Sequence, residues 1–508
     1  MKTQRLAAID IGSNSIKLAI VEAAASDSFT ILLQERERVR LGETLKNRFI
    51  SPDSIQKSAD AIAKFRSMSE NRNVNSIIAV ATASVREASN SQEFVNEVQR
   101  QTGIRVDVLS SIEEARLIGI SAVEFFRQNK DSLLNIDIGG GSTELSLMKD
   151  GLPEKLFSMK LGAVGLTERF LLSNPPKPKE IKEMQTEIQL ALERPLRELD
   201  GNKWQISSGT SGTIWKFANL VNPQTSSTIL DRPEISLKKL IAMNQILSKM
   251  TTEKRTELPI LSIQRAEVII AGGQILESVM RALKIETLLP CGYALREGVI
   301  IDHLREIETE SLPPVPDVLD AKLRGVFAIG RRYGYEERHA LQVAYLAETI
   351  FDSLAKIYKL ERHQRTLLSA AAILHDIGYH ISHDSHHKHT YYLIKHSEIT
   401  GFSENEKNII AQVARYHRGS LPREKHTEFM NLVEADRDLI RKLGSILRLA
   451  DALDRGYENR VKDIKFTKNK QILMMKLSSN QNIESELKAI ALKKDMFEQA
   501  FGCSLQIN

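Results

Sequence analysis

Two stretches decide the fold: Leu6–Glu22, LAAIDIGSNSIKLAIVE, and Leu133–Met148, LLNIDIGGGSTELSLM. Each is an apolar run that ends in Asp-Ile-Gly, turns through Gly, Ser or Asn, and resumes as a second apolar run. Asp10 aligns with Asp137, Gly12 with Gly139 and Ser15 with Ser142. After the first turn Ile16, Leu18 and Ile20 alternate with Lys17 and Ala19. After the second, Leu145 and Leu147 alternate with Glu144, Ser146 and Met148. A period near two is a strand. Each copy therefore reads as a β-hairpin with a phosphate-sized turn. The strand–loop–helix of a dinucleotide fold would need a helical period next. A repeat this far apart marks two domain-sized copies, because solenoid periods are far shorter.

Around the hairpins, helical and strand patterns alternate. Helices are expected over Pro52–Ser69, Ser91–Gln101, Ser111–Phe126, Lys179–Leu199 and Leu237–Met250, and strands over Ser76–Thr82 and Val106–Leu109. This alternation is an α/β signature. Glu306–Pro316 (EIETESLPPVP) reads as a linker, since its prolines favour extended chain. Beyond it, helical periodicity dominates from Val318 to about Tyr457. The tail returns to strand-like runs, Val461–Phe466 and Ile472–Leu477, followed by a helix near Glu484–Ala500. The tail reads as a small α+β cap or as an extension of the helical domain. The expected division is 1–125, 126–305, a linker at 306–317, 318–457 and 458–508.

The bulk composition narrows the function. In 508 residues, 42% are hydrophobic and 27% charged, which fits a soluble globular protein. A net charge of +5 suits an anionic substrate without demanding nucleic acid. Two cysteines, Cys291 and Cys503, make neither a disulfide framework nor a metal motif. The first residues lack a secretory pattern, and no apolar run reaches about 18 residues, so a cytoplasmic protein away from membranes is expected.

The two turns supply the first chemistry. Gly12, Ser13, Asn14 and Ser15 in one copy, and Gly139, Gly140, Gly141, Ser142 and Thr143 in the other, offer backbone N–H groups and hydroxyls to phosphate oxygens. Asp10 and Asp137 stand where a metal or its bound water would be organised. Glu113 and Glu114 open a helix, and either could orient a water and accept its proton. Arg86 follows a buried strand and can fork onto phosphate oxygens. Ser207–Thr213 (SSGTSGT), with Gly209 and Thr210, precedes a helix and offers a further anion site, or a simple N-cap through Ser211 or Thr213. Gly272–Gly273 and Arg296–Gly298 are expected to line the same cleft. A separate group lies in the helical region: His339, His375-Asp376 and Asp451 could hold one divalent metal. His386, His389, His396 and His417 are candidates for a second position.

Ala8–Ser15, Glu113–Ile118 (EEARLI), Asn135–Leu145 (NIDIGGGSTEL), Ser208–Thr213 and Ala294–Val299 (ALREGV) together resemble the exopolyphosphatase/guanosine pentaphosphate phosphohydrolase family. The resemblance implies two actin-like (ribonuclease H-like) domains, followed by an all-α HD-type domain and a small α+β segment. It implies removal of terminal phosphate from inorganic polyphosphate or guanosine pentaphosphate, with Mg²⁺ and as a homodimer, and no nucleic-acid partner. It selects Glu114, immediately before Ala-Arg, as the catalytic carboxylate. It makes Glu144 a metal-facing carboxylate beside Asp10 and Asp137, and Arg86 a phosphate contact. The family's third loop is richer in glycine, so Ser208 and Ser211 are departures. The order His339, His375-Asp376, Asp451 resembles the metal signature of HD-domain phosphohydrolases. Two rival readings remain: principal chemistry in that HD-type domain, or a non-catalytic polyphosphate or alarmone sensor.

Overall fold

The structure is a computed structural model that describes residues 3–25, 28–42, 48–126, 132–222, 233–258, 260–311, 321–382, 384–469, 471–479 and 481–507. The chain forms two compact units, residues 1–314 and 315–508.

Unit 1 contains the repeat. Its first sheet runs β3-β2-β1-β4-β5, with β1 Gln4–Ile11, β2 Ser15–Ala25, β3 Ser28–Arg38, β4 Ser76–Ala81 and β5 Val106–Val108. Its second runs β10-β11-β9-β6-β7-β8, with β6 Leu133–Ile138, β7 Thr143–Lys149, β8 Leu152–Met159, β9 Ile206–Thr210, β10 Ile235–Ser236 and β11 Thr287–Pro290. In each sheet three antiparallel strands are extended on one side by two parallel strands, and the second sheet adds β10 antiparallel at that edge. The two hairpins are therefore equivalent in topology as well as in sequence. β1 and β6 are buried almost throughout, which explains their near-continuous apolar runs.

The register fixes the chemistry. Asp10 pairs with Lys17 across the first hairpin, and Asp137 pairs with Glu144 across the second. Each turn is closed by a backbone bond: Gly12 N–H donates to the Ser15 carbonyl at 3.2 Å, and Gly139 N–H to the Ser142 carbonyl at 2.8 Å.

The Ser111–Phe126 helix is buried along nearly its whole length. It crosses the Leu295–Ser311 helix so closely that a Cβ on Gly298 would overlap the Leu117 carbonyl. That second helix continues through Glu306–Ser311, into the segment expected to be a linker. The residues there favour helix, and the first proline comes only at Pro313. Residues 312–320, which hold the rest of that segment, lie outside the described residues.

Unit 2 is helical up to Leu453. It then adds a three-stranded sheet, β12 Val461–Asn469, β13 Ile472–Ser479 and β14 Ser504–Ile507, with the helices Glu484–Lys493 and Asp495–Phe501. Val461, Ile464, Leu473, Met475, Phe497 and Leu505 share one hydrophobic core with the helices. The tail is thus an extension of the helical unit's core. Among the described residues, no helix is long and apolar enough to cross a membrane.

Candidate active site

The two turns of unit 1 face each other. A Cβ built on Gly141 would lie 4.0 Å from Ser13 Oγ and 3.7 Å from the Ala83 Cβ. The second turn is pinned from behind, since the Ala163 and Val164 N–H groups donate to the Gly139 and Gly140 carbonyls at 3.1 and 3.0 Å. A Cβ on Gly162 would overlap the Gly140 carbonyl. Gly162 is therefore part of the machinery, although as a single glycine after an apolar residue it carries no sequence signal. Thr143 is fully buried, and its hydroxyl donates to the Leu161 carbonyl at 2.5 Å.

Four carboxylates gather by these turns, three of them buried and Asp137 half-buried, and each has a partner. Lys17 Nζ lies 3.2 Å from Asp10 Oδ2. The Thr210 hydroxyl donates to Asp137 Oδ1. The Ser158 hydroxyl donates to Glu144 Oε1 at 2.7 Å. Arg86 Nη1 donates to Glu114 Oε2 at 2.9 Å and to the Leu109 carbonyl at 3.0 Å. Burial raises the pKa of all three of Asp137, Glu114 and Glu144. For Glu114, burial outweighs Arg86, and repulsion from Asp10 and Asp137 adds to it, pushing the group up to about 7. Glu144 rises well above the usual range through burial and repulsion from Glu114 and Asp137.

Asp137 is held from further back. Ser208, fully buried, donates to Asn135 Oδ1 at 2.8 Å, and Asn135 Nδ2 donates to Thr210 Oγ1 at 3.2 Å. The serine of the third loop thus starts a hydrogen-bond chain that ends on a site carboxylate. That loop also differs from the expected one. Ile206–Thr210 is a strand, and the helix starts at Ser211, so neither Ser211 nor Thr213 is its N-cap. Ser211 takes φ +91°, and its buried hydroxyl has no hydrogen-bond partner. Gly272 packs against Thr213, and Gly273 against Asn244 and Phe217. Arg296 donates to the Leu18 carbonyl at 3.0 Å, and Glu297 accepts from Ala294 N–H at 2.8 Å.

In unit 2, His339, His375, Asp376, His386, His417 and Asp451 come together from separate elements. The four imidazoles are 0–2% exposed. His339 Nδ1 is 2.8 Å from Asp454 Oδ2, a partner that sequence reasoning missed. Lys493 Nζ pairs with Asp451 Oδ2. The ring of Tyr457 stacks on His339 at 3.8 Å, and its hydroxyl donates to Asp376 Oδ2 at 3.2 Å. Among the described residues, two sets of potential ligand atoms fall within 4.8 Å of one another: His339/His375/Asp376 and Asp376/His386/His417. His389 and His396 belong to neither, and Asp10, Asp137 and Glu144 do not form such a set.

Most of unit 1 is matched by a known family. The Ppx/GppA phosphatase family profile covers residues 18–307, over half of the chain. The chain belongs to the Ppx/GppA phosphatase family. The profile of Ppx/GppA phosphatase domain III covers residues 322–496. Over 99% of its length the chain is 29% identical to the guanosine-5'-triphosphate,3'-diphosphate pyrophosphatase of Pseudoalteromonas translucida, covering 98% of that protein. Over 60% of its length it is 32% identical to exopolyphosphatase 1 of Mycobacterium leprae, covering 91% of that protein. Among solved structures, the Ppx/GppA family member of Aquifex aeolicus superposes with a TM-score of 0.55 at 24% identity, over 61% of this chain and all of that one. That likeness shows a shared fold over 61% of this chain.

Proposed function

We propose that this Ppx/GppA protein removes terminal phosphate from inorganic polyphosphate, guanosine pentaphosphate or both. The names of its two curated relatives support the substrate class. The observation that carries the reading is Glu114: a buried carboxylate pushed up to about 7, beside Arg86 and the two turns. A base with that pKa is half ionised near neutrality, where it can accept a proton from an attacking water. Arg86 holds Glu114 in place and carries positive charge to the phosphoryl oxygens. The turns Gly12–Ser15 and Gly139–Ser142, through the N–H groups that do not close them, with Gly209 and Thr210 beside them, grip the phosphates on both sides.

Asp10, Asp137 and Glu144 offer only oxygen donors, which suits a hard cation such as Mg²⁺. Bound there, Mg²⁺ would supply charge neutralisation at the transferring phosphoryl group. The actin-like domains are assigned to 1–125 and 126–305, the HD-type domain to 318–457 and the C-terminal segment to 458–508. A homodimer in the cytoplasm completes the proposal.

A second reading has its own observation, the buried His/Asp cluster of unit 2. There His339, His375, Asp376 and Asp451 would hold one divalent metal in the manner of an HD-type domain.

The test is phosphate release from long-chain polyphosphate and from guanosine pentaphosphate by wild type, Glu114→Gln and His375→Ala. Loss confined to Glu114→Gln supports the cleft. Loss confined to His375→Ala moves the chemistry to unit 2.

A further inference from the structure

Four cations of unit 1 that the proposed mechanism does not use converge from both of its sheets. Lys17 reaches Asp10 across the first hairpin, and in the next pair of strands Arg36 stands opposite Lys17 and Arg38 opposite Ser15. Residues opposite one another, and residues two apart, share a face of a sheet. Arg36 and Arg38 therefore extend the face that carries Asp10. Glu35 and Glu37 alternate to the other face, where Glu37 pairs with Lys64 at 2.5 Å.

Arg265 lies near the start of the Ile263–Ala282 helix. Its neighbour Gln264 accepts from Arg38 Nη1 at 3.4 Å, so that helix meets β3 here. A Cβ on Gly212 would overlap the Arg265 guanidinium, which sets that charge against the first turn of the Ser211–Val221 helix. Burial lowers the pKa of Arg265, and Arg36 and Arg38 lower it further by repulsion. Burial and Arg265 do the same to Lys216, on the Ser211–Val221 helix.

The arrangement is repulsive by itself. Among the described residues, none of the four cations pairs with a carboxylate, and Arg38 has only the Gln264 amide. A helix N-terminus carries partial positive charge, so it attracts an anion and repels a guanidinium laid against it. A bound anion among these groups turns every one of those repulsions into an attraction. A phosphate group carries about two negative charges near neutrality, so four cations call for two such groups. β3 stands about 10 Å from β1, two strand spacings away, so the anion lies further out than a phosphate held between the turns.

We infer that Arg36, Arg38, Lys216 and Arg265 form a second anion subsite, which takes a diphosphate-sized part of the substrate remote from the phosphate being removed. The inference rests on the proposed function and adds where the rest of the substrate is held. Two sources share this chemistry: the inner phosphates of polyphosphate and the 3'-diphosphate of guanosine pentaphosphate.

The test is isothermal titration calorimetry on the full-length Glu114→Gln chain with Mg²⁺, which reads binding without cutting. The ligands form two pairs, inorganic triphosphate with long-chain polyphosphate, and guanosine triphosphate with guanosine pentaphosphate. In each pair only the second ligand carries the remote phosphates. The parent chain is expected to prefer the extended ligand of at least one pair. Lys216→Gln and Arg265→Gln, each added to that chain, should cut the preference about tenfold, the worth of one charged hydrogen bond, and Arg265→Lys should restore part of it. The pair in which the preference falls names the source. Should a Gln variant melt early, Arg36→Gln on the exposed edge strand takes its place. Equal losses for short and extended ligands, or an undiminished preference in both pairs, overturn the subsite and leave the proposed function standing. A parent chain that binds none of the four ligands overturns the proposed substrate class and the subsite with it.

Discussion

Glu113 and Glu114 are neighbours in sequence and have opposite employment. Glu113 is forked onto Arg116 at 2.6 and 2.8 Å, and Arg116 in turn grips Asp302 on the Leu295–Ser311 helix. Glu114 turns to Arg86, beneath the facing turns. Glu113 orients the arginine that ties two helices together, and Glu114 is turned towards the cleft. Replacing Glu114 by Gln is expected to lower kcat by about 10²–10⁴-fold with the melting temperature kept or raised. Replacing Glu113 by Ala breaks a buried ion pair and is expected to cost about 3–5 kcal/mol of stability, with the turnover of folded molecules retained. Calorimetry beside single-turnover kinetics separates the two; equal kinetic losses would refute the division of roles.

The pH profile follows from the same carboxylate. With Glu114 pushed up to about 7, kcat/KM is expected to fall on the acid side of about pH 7, as the base is protonated. Arg86 opposes that shift. In Arg86→Ala the acid limb should move to higher pH, besides the general loss of phosphate binding. The stability effect has the opposite sense. A raised carboxyl pKa favours the folded state most below its ordinary value of 4.5, and that margin is lost as pH rises through about 7. A limb that stays in place in Arg86→Ala would show that Glu114 is not the group observed.

Thr210 donates to Asp137 and favours its ionised form. Thr210→Val removes that bond. The expected result is a several-fold higher Mg²⁺ concentration for half-maximal rate, with kcat at saturating Mg²⁺ within a few-fold of wild type. Asn135→Leu, one step back along the chain, should give a smaller shift of the same sign. Unchanged Mg²⁺ dependence in both would remove Asp137 from the metal site.

Ser211 adopts φ +91°, a conformation suited to glycine. Relief of backbone strain of about 1–3 kcal/mol outweighs the extra chain entropy of glycine, about 0.5–1 kcal/mol. Ser211→Gly should therefore raise the melting transition of unit 1, while Ser211→Ala should not. A lower transition in the glycine variant would mean that the buried hydroxyl has a use that outweighs the strain.

The sequence exposed the paired hairpins because both are buried strands with a sharp turn, and the alternation of Ile16, Leu18 and Ile20 survives any context. The edge strand β3 escaped notice, since Gln34–Arg38 is a charged, largely exposed run that reads as polar chain. The partners of the site were also hidden. Asn135, Ser158 and Asp454 sit 2, 14 and 115 positions from the residues they support, as Asp137, Glu144 and His339. Nothing in local periodicity reports a bond made across a sheet or between helices. The histidine-rich run His380–His389 was visible as composition. Only the fold separates the buried His386 from the partly exposed His389.

The two hairpins match at their aspartates and part at the position opposite. Asp10 faces Lys17, and Asp137 faces Glu144. One half of the cleft is thereby a charge-balanced wall and the other a doubly acidic one. Inorganic polyphosphate has identical ends and no inherent sense of direction. A cleft whose halves were identical could thread it either way and would have nowhere to distinguish the last phosphate from the next. The exchange of lysine for glutamate makes the two walls electrostatically unlike, and on the proposed function that difference would help the cleft tell the last phosphate of such a chain from the next.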